Sequence, residues 1–228
     1  IIDNDQNNNL NNNSNNNSNN NSNNNSNNNI VIIKEDNVYN KDIIDRIINN
    51  DKKIIVLEGF FQSYKYYKDI SSTLYKYFSF IESYNEIANN IIEKCIIDQQ
   101  NAQKLQNDTN IKLVSIHIRR GDYINYLNYH TLLPLTYYIE SIDMLSNKYK
   151  NIFFIVCSDN IEWCERVFNQ IKYKSYFSKN EPIVDMLLMS KCDINIISNS
   201  SFSLLSYYFN KNKNKQIISP GIWFGNKH

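Results

Sequence analysis

One stretch of the sequence, residues 113–123 (LVSIHIRRGDY), constrains the fold more than any other. Its first half is apolar and rich in β-branched residues, which is typical of a buried β-strand. The run ends abruptly in two arginines, a glycine and an aspartate, which predict a charged loop at the carboxyl end of that strand. Ligands of open parallel α/β sheets bind at that edge, so the stretch predicts both a strand and a binding site.

The second half of the chain alternates strand-like and helix-like segments. Further strands are predicted at residues 151–157, 193–197 and 216–219, and helices at residues 83–106, 135–149, 161–171, 182–191 and 202–209. This order predicts an α/β fold with a parallel, Rossmann-like sheet covered by helices on both faces. The first half of the chain is more ambiguous.

Composition excludes some classes of protein. The 24 basic and 23 acidic residues give a net charge of +1, which argues against a dedicated nucleic-acid-binding protein. The four cysteines form no C-x-x-C pair and are predicted to be reduced and mostly buried. No apolar stretch reaches the ~20 residues that span a bilayer, and no signal peptide is visible. The sequence as it stands predicts a soluble, cytoplasmic protein without a transmembrane segment. An anchor outside it would instead imply a membrane-associated or Golgi-type location.

The arginine pair is the first candidate site. Arg119 and Arg120 at a strand end can bind a phosphate bidentately, or each can form an ion pair with an acidic residue elsewhere. The only glycines are Gly59, Gly121, Gly221 and Gly225, which exclude a Gly-rich phosphate loop. A nucleotide site in this chain must therefore use arginines and the amino-terminal ends of helices.

Other candidate residues follow the predicted strands. Asn199, Ser200 and Ser201 precede a helix, where they either bind a phosphate or cap that helix. His117 lies on the strand face of Arg119 and is either a ligand-binding or a core histidine. Asp159 and Asp185 either accept hydrogen bonds from a nucleoside or serve as capping and pairing residues. No metal site is predicted.

Five blocks of the sequence together resemble one known family. Residues 115–123 (SIHIRRGDY) resemble the H-x-R-R-x-D motif of the α-1,2-fucosyltransferases, glycosyltransferase family 11. The other blocks, which follow the order of that family, are residues 57–63 (LEGFFQS), 132–138 (LLPLTYY), 154–163 (FIVCSDNIEW) and 185–203 (DMLLMSKC to NSSFS). The resemblance covers roughly residues 54–224.

The resemblance implies a GT-B-like fold and transfer of L-fucose from GDP-fucose to a galactose-containing glycan. It also implies an α-1,2 linkage, inversion at fucose, and no metal or other cofactor. Arg120 would bind the β-phosphate and, with Asp122 as a candidate general base, is the predicted catalytic pair. The predicted donor-binding residues are His117, Arg119, Arg120, Asp159, Asp185, Asn199, Ser200, Ser201 and Phe202.

The amino-terminal part of the sequence departs from the family. The Gly-rich G-x-G-N-Q segment with which members open is absent from residues 1–53, and residues 3–29 are almost entirely Asn and Ser. We predict a disordered tract at residues 1–29, a truncated acceptor-side region at 30–110 and a GDP-fucose-binding domain at 111–228. Three hypotheses follow: an active transferase, a donor-binding remnant without transfer, and an interaction protein built on an inherited fold.

Overall fold

A computed structural model describes residues 29–36, 39–52, 54–66, 69–70, 73, 77–103, 110–168 and 172–223. The tract predicted to be disordered, residues 1–29, lies outside the described residues except for Asn29. The chain divides into two compact units, which comprise residues 1–74 and 75–228.

The smaller unit contains a β-α-β motif. Strands β1 (Ile30–Lys34) and β2 (Ile54–Glu58) pair in parallel and are joined by helix α1 (Lys41–Ile48). Asn40 caps α1, because its side-chain oxygen accepts a hydrogen bond from the Asp42 amide at 2.9 Å. A single 3₁₀ turn, Tyr64–Tyr66, follows.

Among its described residues, the larger unit contains a 3₁₀ turn, Asp122–Asn125, as well as five strands and five α-helices. In chain order they are α2 (Glu82–Gln103), β3 (Lys112–Ile118), α3 (Leu135–Lys148), β4 (Ile152–Ser158), α4 (Ile161–Phe168), β5 (Ser175–Phe177), α5 (Pro182–Ser190), β6 (Ile194–Ile196), α6 (Ser201–Phe209) and β7 (Gln216–Ile218). All strand pairs are parallel, in the order β5-β4-β3-β6-β7. The prediction of a Rossmann-like parallel sheet is therefore confirmed, and its order reverses between β3 and β6.

Two hydrophobic cores cover the two faces of this sheet. Val114, Ile116 and Ile118 of β3 pack with α3 and α4 on one face. Leu113 lies on the other face, where residues of α2 and α5 pack on the sheet. Side chains alternate along a strand, so Ser115 and His117 share the face of Leu113. Both faces are covered, as expected of a parallel sheet.

Helix α2 belongs to the larger unit. Ala88 and Cys95 on its apolar face are buried in the core beneath the sheet, and Gln99 Nε2 donates to the Ile152 carbonyl oxygen at 3.0 Å. The predicted boundary at residues 110/111 therefore differs from the structural division at 74/75. The reason is that α2 supplies the cover of one sheet face, so it cannot be separated from the strands it covers.

Two predictions from composition can be compared with this fold. Cys95, Cys157, Cys164 and Cys192 are all free and buried, which confirms the predicted burial. Among the described helices, none is both long and apolar enough to cross a membrane.

Candidate functional site

Three loops meet at the carboxyl edge of the larger sheet. They follow β3, β4 and β6, and the pairing of Ile118 with Ser158 places the first two side by side. The β3 and β6 loops flank the point where the strand order reverses, which is the ligand-binding position of such sheets. The structure thereby brings Arg119, Arg120 and Asp159 together at one edge.

Asp159 organises the loop that contains both arginines. Its Oδ1 accepts a hydrogen bond from the Arg120 amide at 2.9 Å, and its Oδ2 accepts one from the Gly121 amide at 3.0 Å. The same Oδ2 lies 3.1 Å from Arg119 Nη1. The carboxylate therefore fixes the backbone and one side chain of the loop, which we call the arginine loop (residues 119–122).

Gly121 is required by this close approach. A Cβ atom at this position would lie 2.6 Å from Asp159 Oδ2, a distance shorter than any normal contact. A side chain at residue 121 would therefore displace the carboxylate that holds the loop.

The two arginines have different surroundings. Arg119 lies between two carboxylates, with Nη2 2.8 Å from Asp122 Oδ1 in addition to its contact with Asp159. Arg120 forms no ion pair with a carboxylate among the described residues; its guanidinium lies over the Trp163 ring, 3.9 Å from the centroid. Its Nε is buried without a hydrogen-bond partner. Internal ion pairs therefore account for Arg119, while Arg120 remains a cation in need of an anion.

Asp122 is half exposed and held beside the arginine loop. Its side chain is 51 % exposed, and its partner in the structure is Arg119.

Trp163, which sequence reasoning did not single out as a site residue, lies on α4 one turn after Asp159. The signal that could have found it is its position at the end of residues 154–163, one of the blocks that resemble the family.

His117 is a buried, hydrogen-bonded histidine. Its Nδ1 lies 2.7 Å from Ser198 Oγ, and its ring centroid is 5.4 Å from that of Phe202. Burial lowers the pKa of His117 from 6.5 to about 4, so the imidazole is neutral near pH 7. Neutral imidazole offers one donor and one acceptor.

The pKa of His117 predicts a dependence of stability on pH. The unfolded chain protonates His117 below pH 6.5, whereas the folded protein does so only near pH 4. The free energy of unfolding should therefore fall as the pH is lowered from 6.5 to 4. Thermal denaturation of wild type and of His117→Asn across this range measures the effect, and the variant should show the shallower fall. Equal slopes would contradict the prediction.

Asp185 must be considered in the same experiment. Burial raises its pKa from 3.8 to about 6, so its contribution to stability decreases as the pH rises between those values. This opposes the effect of His117. Because both proteins in the comparison contain Asp185, the difference between them isolates the histidine.

Asp185 lies on α5 in a second polar group, apart from the arginine loop. Ser178 Oγ donates a short hydrogen bond to Asp185 Oδ1, and Asn180 Nδ2 donates to Ser178 Oγ and to Tyr176 Oη at 2.9 Å each. Burial, and after it the charge of Asp185, raises the pKa of Cys157, which pairs in register with His117. Asp185 and His117 thus lie near the same face of the sheet.

The start of α6 supplies backbone amides at the reversal point. Ser200 is the N-cap residue, and its side chain makes no capping hydrogen bond. Asn199 is buried and ties loops together, because its Nδ2 donates to the carbonyl oxygens of Thr131 and Trp223 at 2.9 Å each. Ser201 is exposed and Phe202 half-buried. The capping alternative is therefore not realised by Ser200, and the amide groups of this helix end can meet an anion.

Within the described ranges, no group of three or more His, Cys, Asp or Glu side chains is arranged to hold a metal ion. The site as described instead combines one unpaired guanidinium, a helix amino terminus and a neutral histidine. This arrangement suits a bound phosphate or diphosphate.

Known proteins resemble this chain in sequence. The profile described as Glycosyl transferase family 11 matches residues 24–223. An alpha-1,2-colitosyltransferase of Escherichia coli is 41% identical over 118 residues, which are 49% of this chain and 41% of that protein. Galactoside alpha-(1,2)-fucosyltransferase 2 of Rattus norvegicus is 26% identical over 102 residues, which are 42% of this chain and 29% of that protein.

A solved structure supports the fold. The crystal structure of POFUT1 in complex with GDP matches with a TM-score of 0.50 and 13% sequence identity, over 75% of this chain and 56% of that one. At this identity the likeness concerns the fold alone, and it confirms the predicted GT-B-like class. The chain aligns with less than half of the length of the curated relatives named above.

Proposed function

Because this chain belongs to glycosyl transferase family 11, we propose that its arginine loop and the start of α6 hold the diphosphate of a nucleotide-sugar donor. The observation that carries this proposal is Arg120, whose Nε is buried without a partner although its neighbour Arg119 is paired twice. A diphosphate supplies the missing acceptors in a fork geometry that a guanidinium matches.

The favoured reaction is transfer of L-fucose from GDP-fucose to a galactoside hydroxyl in an α-1,2 linkage. The similarity to galactoside α-(1,2)-fucosyltransferases supports fucose as the sugar and the galactoside as acceptor. The similarity to an alpha-1,2-colitosyltransferase supports the linkage and also favours colitose as a second candidate sugar. GDP as the nucleotide is part of the proposal for both sugars.

In the proposed mechanism the acceptor hydroxyl attacks the anomeric carbon from the face opposite GDP. The bond to the β-phosphate oxygen breaks, and the configuration inverts through an oxocarbenium-like transition state. Arg120 and the amide groups of α6 stabilise the charge that develops on GDP, and we propose that no metal is needed for this. Asp122, held at the edge of the loop, is the candidate that accepts the hydroxyl proton.

We propose that the nucleoside lies over the part of the sheet edge that His117, Asp185 and Phe202 form. His117 and Asp185 lie near the same sheet face, and Phe202 packs beside the His117 ring. A neutral histidine and a carboxylate offer the donor and acceptor atoms that a nucleobase needs.

An alternative is that the chain binds the donor without transferring sugar. The observation behind this alternative is the extent of the alignment, which covers 41% of the colitosyltransferase and 29% of the rat fucosyltransferase.

A transfer assay separates these two functions. We expect the chain to transfer fucose from GDP-fucose to lactose, and to retain that activity in EDTA, because the leaving charge is stabilised by protein groups. The measurement is the yield of fucosylated product by mass spectrometry, with a colitosyl donor in a parallel reaction. Saturable GDP binding without any product would favour the binding remnant. Absence of both would contradict the donor site itself.

A further inference from the structure

We infer that Asp159 and Trp163 are positioning residues that aim Arg120 at the donor diphosphate, and that Asp159 does not contact the nucleoside. This inference rests on the proposed function and deepens it. It assigns to one segment, the turn after β4 and the first turn of α4, the task of shaping the arginine loop.

The carboxylate of Asp159 is already occupied. It accepts hydrogen bonds from the amides of Arg120 and Gly121 and contacts the Arg119 guanidinium. These contacts fill three of the about four acceptor positions of a carboxylate. A hydrogen bond from a nucleoside to Asp159 would compete with these three contacts and would release the arginine loop. Asp159 therefore acts on the donor through the loop.

Trp163 fixes the side chain of Arg120, whereas Asp159 fixes its backbone. Asp159 holds the backbone of Arg120, whereas the Trp163 ring lies 3.9 Å from the guanidinium carbon. A guanidinium that lies flat over an aromatic face keeps its N–H groups parallel to the ring, so they point sideways toward other acceptors. The two contacts together restrict Arg120 at both ends.

The segment that carries both residues is itself fixed at the end of β4. The Asn160 amide donates to Ser158 Oγ at 3.0 Å, and the Trp163 amide donates to Asn160 Oδ1 at 3.3 Å. These bonds form the amino-terminal cap of α4. The position of Trp163 relative to Asp159 is therefore set by local structure and needs no bound ligand.

The test compares GDP with GMP, which lacks the β-phosphate. We expect Asp159→Asn to weaken GDP binding about tenfold, because even a small misplacement of a positioned group is costly. Binding of GMP should change far less, so the ratio of the two dissociation constants should move toward one. A residue that contacts the nucleoside would weaken both ligands equally, and that result would overturn the inference. Wild type that binds neither ligand would instead overturn the proposed function.

A double-mutant cycle asks whether Asp159 acts through Arg120. We expect the GDP affinity of Asp159→Asn combined with Arg120→Ala to equal that of Arg120→Ala alone, since Asp159 acts on the donor only through Arg120. Additive losses would contradict the inference. Asp193→Asn is the matched control: this carboxylate also accepts a backbone bond, from the Leu113 amide at 3.0 Å, but precedes β6 at the opposite edge of the sheet. It should leave the GDP-to-GMP ratio unchanged.

Variants of Trp163 test the inference independently if Asp159→Asn does not fold. Trp163→Phe keeps an aromatic face and should largely preserve the preference for GDP over GMP. Trp163→Leu removes that face and should reduce the preference. Equal preferences in the two variants would overturn the role of Trp163.

Discussion

Replacement of Arg120 by alanine is expected to weaken GDP binding by ~2–4 kcal/mol, which is roughly thirtyfold to several-hundred-fold. The reason is that Arg120 has a buried Nε without a partner and stacks on Trp163, so its guanidinium is partly desolvated before the ligand arrives. Isothermal titration calorimetry of wild type and variant with GDP measures the change.

Two further variants make this prediction specific to Arg120. Arg120→Lys keeps the charge but loses the planar fork, so its affinity should lie between those of wild type and the alanine variant. Arg166→Ala removes an exposed arginine from α4, the same helix that carries Trp163, and should leave GDP binding unchanged. Unchanged affinity in Arg120→Ala would place the donor in a different pocket.

Replacement of Phe154 by alanine is expected to lower the free energy of unfolding by ~3–5 kcal/mol. Phe154 is 1% exposed in β4 and lies in the core between the sheet and helices α3 and α4. Its removal leaves a cavity that the surrounding β-sheet cannot close. Urea denaturation followed by circular dichroism measures the change.

Phe60 provides the matched control for this substitution. The same Phe→Ala change at Phe60, which is 75% exposed, should alter stability by only a few tenths of a kcal/mol. A similar loss in both variants would show that the core of the larger unit is not where the structure places it.

The central strands could be predicted because a strand that is buried on both faces consists mainly of apolar residues. β4 is apolar up to its last residue, β3 and β6 are mainly apolar, and Pro134 and Pro182 mark the starts of α3 and α5 as predicted. β5 was not predicted. It has three half-buried residues at the edge of the sheet, so it lacks both the length and the apolar run that identify a strand.

The residues of the candidate site could be predicted from the sequence, but the contacts between them could not. The residue types alone cannot distinguish Arg119 from Arg120, and only the resemblance to the family favoured Arg120. The distinction arises from Asp159, almost forty residues later, which reaches Arg119 only because β4 pairs with β3 in one particular register. The stacking of Arg120 on Trp163 depends on the same register, so it too was beyond sequence reasoning.

Of the two adjacent arginines, only Arg120 has the surroundings of a ligand-binding residue. The most direct test of the proposed donor site is titration of the wild-type chain with GDP in the presence of EDTA. We predict saturable binding at one site, with GDP bound more tightly than GMP because the β-phosphate meets Arg120. Absence of saturable binding, or equal affinity for GDP and GMP, would contradict the account.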